Sequence, residues 1–137
     1  MDARFATVFL IVIAEDGRAA YCNAGHNPPL IISPAGEVRR LECGGPIVGL
    51  FEAATFDQET VTVGPGDWLV LFSDGVSEAM SVTDDEYGES RIVDVVRANG
   101  NLQPQQLLQA LFADVREFTR GAAQSDDITA MVLRYGG

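Results

Sequence analysis

The residues of this chain best suited to chemistry are carboxylates set against apolar strands. The stretch Gly66-Asp67-Trp68-Leu69-Val70-Leu71-Phe72-Ser73-Asp74-Gly75 delivers Asp74 at the end of an unbroken apolar run. Such a run predicts a strand buried on both faces, because a half-exposed strand would alternate. A carboxylate fixed at the tip of a rigid strand is placed to hold a hard cation through oxygen. Asp-Gly is also among the commonest turn dipeptides, so an ordinary strand-to-turn junction is the competing reading. Gly75 lets the backbone turn there without a Cβ penalty. Further on, Ser125-Asp126-Asp127-Ile128-Thr129 leads into a second apolar run, Ala130 to Arg134. Asp74 follows its strand and Asp126 precedes its own, so two antiparallel neighbours would bring both to one end of a sheet. Shared oxygen-ligand metal sites are assembled in that way.

Other reactive groups are few. His26, the single histidine, lies in Asn23-Ala24-Gly25-His26-Asn27-Pro28-Pro29. That segment must be a loop, since neither proline donates a backbone hydrogen bond and Asn27 is pushed out of the helical region. A histidine titrates near neutrality and can serve as a general acid; it can equally order its own loop. A histidine-pair metal site within one chain is excluded. Cys22 and Cys43 have the spacing of neither a zinc site nor a redox pair and are read as free thiols. Gly44-Gly45-Pro46-Ile47-Val48-Gly49-Leu50 lacks the Lys-Ser/Thr of a phosphate-binding loop, so tight turns with positive φ are expected there. Glu78 is either a second carboxylate near the same cation or a solvated one.

Five segments in order, NAGHNPP, GGPIVGL, GPGDWLVLFSDGVSEA, EYGESRI and SDDITAMVL, give the chain a resemblance to bacterial metal-dependent serine/threonine phosphatases of the SpoIIE/RsbU type. The resemblance runs from about Phe5 to about Arg134 and implies a PP2C-like sandwich of two antiparallel sheets flanked by helices. It further implies two Mn²⁺ or Mg²⁺ ions, bridged by a carboxylate and a water, that activate the water for in-line attack on phosphorus. Carried onto this sequence, Asp74 and Asp126 would be metal ligands, Gly75 would let the backbone turn away beside the site, and Asp127 would be a positioning residue. The implied partner is a phosphorylated regulatory protein of the anti-sigma-factor antagonist type. The family's other metal-binding carboxylates, in a strand-borne Asp motif and an Asp-x-x-Gly-x-Gly motif, have no counterpart here. The chain is therefore read as the C-terminal portion of such a domain, truncated at its N-terminus, with negligible activity and weak Mn²⁺ binding when isolated. A non-catalytic, phosphatase-like module that binds a signalling partner is the alternative.

Composition bounds these readings. With 137 residues, 47% of them hydrophobic and 21% charged, the sequence suits one α+β domain spanning 1–137. A formal net charge of −11 argues against nucleic acid, which needs a basic footprint. It would also repel a phosphoprotein unless cations offset it locally. No apolar run reaches the length of a membrane span and no signal peptide is evident, so a cytoplasmic protein is expected.

The remaining pattern positions the carboxylates. Phe5 to Ala14 is read as a central strand, paired with Arg18 to Cys22 across Glu15-Asp16-Gly17, a hairpin turn in which Asp16 is structural. Leu30 to Ser33 and Glu37 to Glu42 form a second hairpin. Phe56 to Val63 alternates as a half-exposed strand should. A short helical turn follows Asp74, and Thr83 to Glu86 is a solvated acidic loop. Two amphipathic helices come next. Ile92, Val93, Val95 and Val96 mark the first, which stops at Asn99-Gly100. The second is marked by Leu107, Leu108, Leu111, Phe112, Val115 and Phe118, starting at Pro104. If a neighbour of the Phe5 to Ile13 strand is missing, its bare edge predicts a homodimer or aggregation.

Overall fold

The computed structural model describes residue 4, residues 6–122 and residues 127–136. Its elements, in order, are β1 (Val8–Ile13), β2 (Arg18–Ala24), β3 (Leu30–Ile32), β4 (Val38–Arg40), β5 (Gly44–Gly45), β6 (Glu59–Thr62), β7 (Trp68–Phe72), α1 (Asp74–Ser77), α2 (Gly88–Ala98), α3 (Pro104–Phe118) and β8 (Ala130–Arg134). They form an α+β fold with two sheets. In the first, β1, β2 and β5 lie side by side and β6 also pairs with β2; the second runs β4-β3-β7-β8.

The period-two geometry of β7 explains why the fold is layered. Trp68, Val70 and Phe72 enter one core with Leu30, Ile32 and the helix residues Ile92, Val96, Leu107, Leu111 and Val115. Leu69 and Leu71 point the other way, into a second core with Ile31, Ala19, Tyr21 and Val63 from between the sheets. An apolar run without alternation is therefore what a strand between two cores requires. Leu107 and Leu111 are buried to within 1%, each a contribution of about 1.5–3 kcal/mol. Helix α3 starts on Pro104, with Gln103 and Gln106 forming a reciprocal cap.

The first hairpin forms as the sequence implies, with Val8 opposite Ala24 and Ile13 opposite Ala19. Gly17 sits at φ +90° in its turn, and Asp16 accepts from the Arg18 backbone N–H and guanidinium. The expectation of a central strand there is corrected. Within its sheet β1 has β2 on one side only, and Val8, Leu10 and Val12 are 44%, 62% and 65% exposed. An apolar run signals burial on both faces only when both faces are covered, and no described element covers the outer face of β1. Gly44 and Gly45 likewise form a short strand parallel to β2, with only Gly49 of that loop at positive φ. Gly44 is required for a different reason: a Cβ there would lie 1.8 Å from the Asn23 carbonyl oxygen. Cys22 and Cys43 are both free.

Tyr21 sets a pH dependence within the inter-sheet core. It is 2% exposed, and its hydroxyl donates to Glu59 Oε1 at 2.7 Å. Burial, reinforced by the Glu59 carboxylate, pushes the phenol up to about 12. The folded state thus keeps this proton to a higher pH than the unfolded chain. The associated stability is intact below about pH 10 and is lost as pH rises towards 12, about 1.4 kcal/mol per unit. Tyr87, buried and donating to Asp114, is pushed up further and titrates against folding over the same window. Tyr21→Phe should therefore roughly halve the fall in urea midpoint between pH 10 and 12. An unchanged slope would show that Tyr21 does not titrate against folding.

Candidate functional site

The two sheets meet at one end in a cleft of about 270 Å³ lined by Thr7, Gly25, His26, Asn27, Phe72, Ser73, Asp74, Asp127 and Thr129. Three chain segments supply most of it. The β2–β3 connection crosses from the first sheet to the second and brings Gly25, His26 and Asn27. The end of β7 brings Phe72, Ser73 and Asp74, and the approach to β8 brings Asp127 and Thr129.

Asp74 lies where its sequence context suggests, just past β7 and at the first position of α1, with an exposed side chain. Strands β7 and β8 are antiparallel, Phe72 opposite Ala130. The residues after β7 and before β8 thus occupy the same end of the sheet. Asp127 is there, lining the same cleft as Asp74. Asp126 lies outside the described residues.

Ser73 fastens this junction. Its hydroxyl donates to the Asp127 carbonyl at 3.1 Å and accepts from the Thr129 N–H at 3.1 Å, while its own N–H donates to the Thr129 carbonyl at 2.9 Å. The backbones are pressed so closely together that a Cβ on Gly75 would stand 1.8 Å from the Asp127 carbonyl oxygen. Gly75 is thus dictated by backbone contact, and its backbone does not have positive φ.

The histidine segment is fixed as firmly, and its expected extent as a loop is corrected: Asn23 and Ala24 are the last residues of β2, paired with β1 and β5. Asn23 is 4% exposed. Its side-chain amide donates to the Leu41 carbonyl at 3.1 Å, and its carbonyl oxygen accepts from the His26 N–H at 2.8 Å. His26 Nδ1 lies 2.7 Å from the Asn27 carbonyl oxygen. A carbonyl only accepts, so Nδ1 carries the hydrogen and Nε2 is the ring nitrogen left over. The sequence reading missed the roles of Asn23 and Ser73. An Asn three residues before the N–H it caps was the available signal for the first. Ser73, whose partners are 54 and 56 residues away, had none.

The charged or chargeable groups in the lining are Asp74, Asp127 and His26. Oxygen donors such as the two carboxylates suit a hard divalent cation. Their number falls short of a full shell: among the described residues no group of three or more His, Cys, Asp or Glu is arranged to hold a metal. Glu78 is absent from the lining. No described helix is long and apolar enough to cross a membrane.

Residues 1–136 match the family described as Stage II sporulation protein E (SpoIIE). Protein IcfG of Synechocystis sp. (strain ATCC 27184 / PCC 6803 / Kazusa) is 33% identical over 132 residues, which cover 96% of this chain and 21% of IcfG. The PP2C phosphatase domain of Bacillus subtilis SpoIIE, solved with a fragment of its regulatory domain, superposes with a TM-score of 0.75 at 22% identity; the match covers 94% of this chain and 37% of that one. The same phosphatase domain presoaked with Mn gives a TM-score of 0.69 at 21% identity, covering 96% and 57%. The chain thus spans about a fifth of IcfG and between about a third and three fifths of these solved chains. With the family match running over nearly every residue and two sheets and three helices laid out as in PP2C domains, this chain belongs to the SpoIIE family of PP2C-type phosphatase domains.

Proposed function

We propose that this segment forms one wall of a divalent-metal site that hydrolyses phosphoserine or phosphothreonine on a regulatory protein. The observation that carries the reading is the cleft in which Asp74 and Asp127 share a lining with no arginine among its described residues. A phosphoryl dianion entering between two carboxylates is repelled unless cations are held there. Asp74 and, beyond the described residues, Asp126 would hold Mn²⁺ or Mg²⁺, with Gly75 allowing the close backbone approach beside them and Asp127 positioning the entry to β8. When bound, such an ion lowers the pKa of its water from 15.7 towards about 7 and offsets charge on the phosphoryl oxygens. Ligands completing the shell would come from elsewhere in the polypeptide, so the segment alone should bind Mn²⁺ weakly and turn over little. Family membership supports a phosphorylated anti-sigma-factor antagonist as the class of partner.

The shortage of described ligands favours one other reading, a non-catalytic module that binds such a partner. Release of inorganic phosphate from a phosphoserine peptide by the full-length protein separates the two. The enzyme reading expects turnover that depends on Mn²⁺ or Mg²⁺ and stops on adding EDTA. No release at saturating metal, with the phosphopeptide still bound, would establish the binding module instead.

A further inference from the structure

The metal reading assigns no role to one component of the cleft, the end of β2 at Asn23-Ala24 with the connection Gly25-His26-Asn27 that follows it. Three interactions fix it. Asn23, 4% exposed, spends its amide on Leu41 and its oxygen on the His26 backbone. Gly44 lets the β5 backbone close on the Asn23 carbonyl, where a Cβ would come to 1.8 Å. The Asn27 carbonyl holds the imidazole by Nδ1 at 2.7 Å. Together these set the place of the ring, its orientation and its tautomer. His26 lines the same cleft as Asp74, Ser73 and Asp127, and among the described residues of that lining it has the one side chain able to carry a positive charge.

Resting on the phosphatase reading, we propose that His26 Nε2 is the proton donor to the departing serine oxygen. Hydrolysis of a phosphoserine ester forms one P–O bond to water and breaks the P–O bond to the serine side chain. The leaving alkoxide is strongly basic and needs a proton as the bond breaks. With Nδ1 committed to the Asn27 carbonyl, the second proton of the imidazolium resides on Nε2, and that proton passes to the serine oxygen. The attacking water releases a proton to solvent and solvent returns one to the imidazole, so charge and atoms balance over the cycle. Asp74 and Asp127 are the other titratable groups in the lining.

Leaving-group chemistry supplies the test. A p-nitrophenolate departs without a proton, whereas a serine alkoxide does not. Full-length protein and its His26→Gln variant are compared with Mn²⁺ on a phosphoserine peptide and on p-nitrophenyl phosphate. The loss in kcat on the phosphopeptide should exceed that on the aryl ester by about a hundredfold, the lower end of what general acids contribute. In His26→Ala, added imidazole should restore phosphopeptide turnover preferentially. Equal losses on both substrates, with no rescue, would mean that the ring only shapes the loop and would overturn the proposal. A wild-type protein inert towards both substrates would sink the phosphatase reading itself, and this role with it.

Discussion

Asp74→Asn should abolish metal-dependent phosphate release by the full-length protein while leaving its fold intact. The substitution keeps the size and shape of the side chain and removes its charge. Asp74 is exposed, and α1 begins without a side-chain cap. The packing of β7 against its two cores is therefore unaffected, and the expected change in stability is within about 0.5 kcal/mol. The effect on chemistry is large because a cation in a cleft with so few described carboxylates depends heavily on each. Losing several kcal/mol of charge stabilisation lowers kcat by about 10²–10³-fold. Activity measured across a Mn²⁺ titration, beside a urea midpoint, checks both halves. Wild-type turnover in the variant would remove Asp74 from the site; a collapsed midpoint would make it a structural residue.

The second large effect is expected at the adjacent position. A methyl group on Gly75 would be 1.8 Å from the Asp127 carbonyl oxygen and 2.6 Å from its carbon. Both are backbone atoms that cannot rotate away, so the strand approach must move as a unit. That movement breaks the three hydrogen bonds of Ser73 to Asp127 and Thr129. Gly75→Ala should destabilise the protein by about 3 kcal/mol or more, at the upper end of overpacking effects, and should cost activity even where the chain stays folded. Gly136→Ala is the control, since a Cβ at Gly136 meets nothing within 4 Å. Similar urea midpoints for the two variants would show that the close approach is relaxed in solution.

Much of this architecture could be read from residue order because it rests on local rules. The β7 run, the Gly17 turn, and the stripes of α2 and α3 each follow from periodicity or turn chemistry over a few residues. The convergence of residues after β7 with those before β8 followed from strand direction alone. What failed needed knowledge of distant neighbours. Val8–Ile13 has the composition of an interior strand, yet whether an apolar face is covered is decided by other elements. The glycines of β5 resembled a turn because the groups they accommodate, the Asn23 backbone at Gly44 and Thr55 and Phe56 at Gly45, lie away from them in sequence. The joint held by Ser73 was hidden for the same reason.

The cleft draws His26 from the crossing between the sheets and Asp74 from the tip of β7. Its halves are therefore mounted on separate plates, held in alignment by Leu69, Ile31, Tyr21 and Ala19 sandwiched between them. A methylene trimmed from that filling would let one plate slide against the other. A site built this way would go out of tune before the fold came apart, failing through substitutions that touch none of its lining.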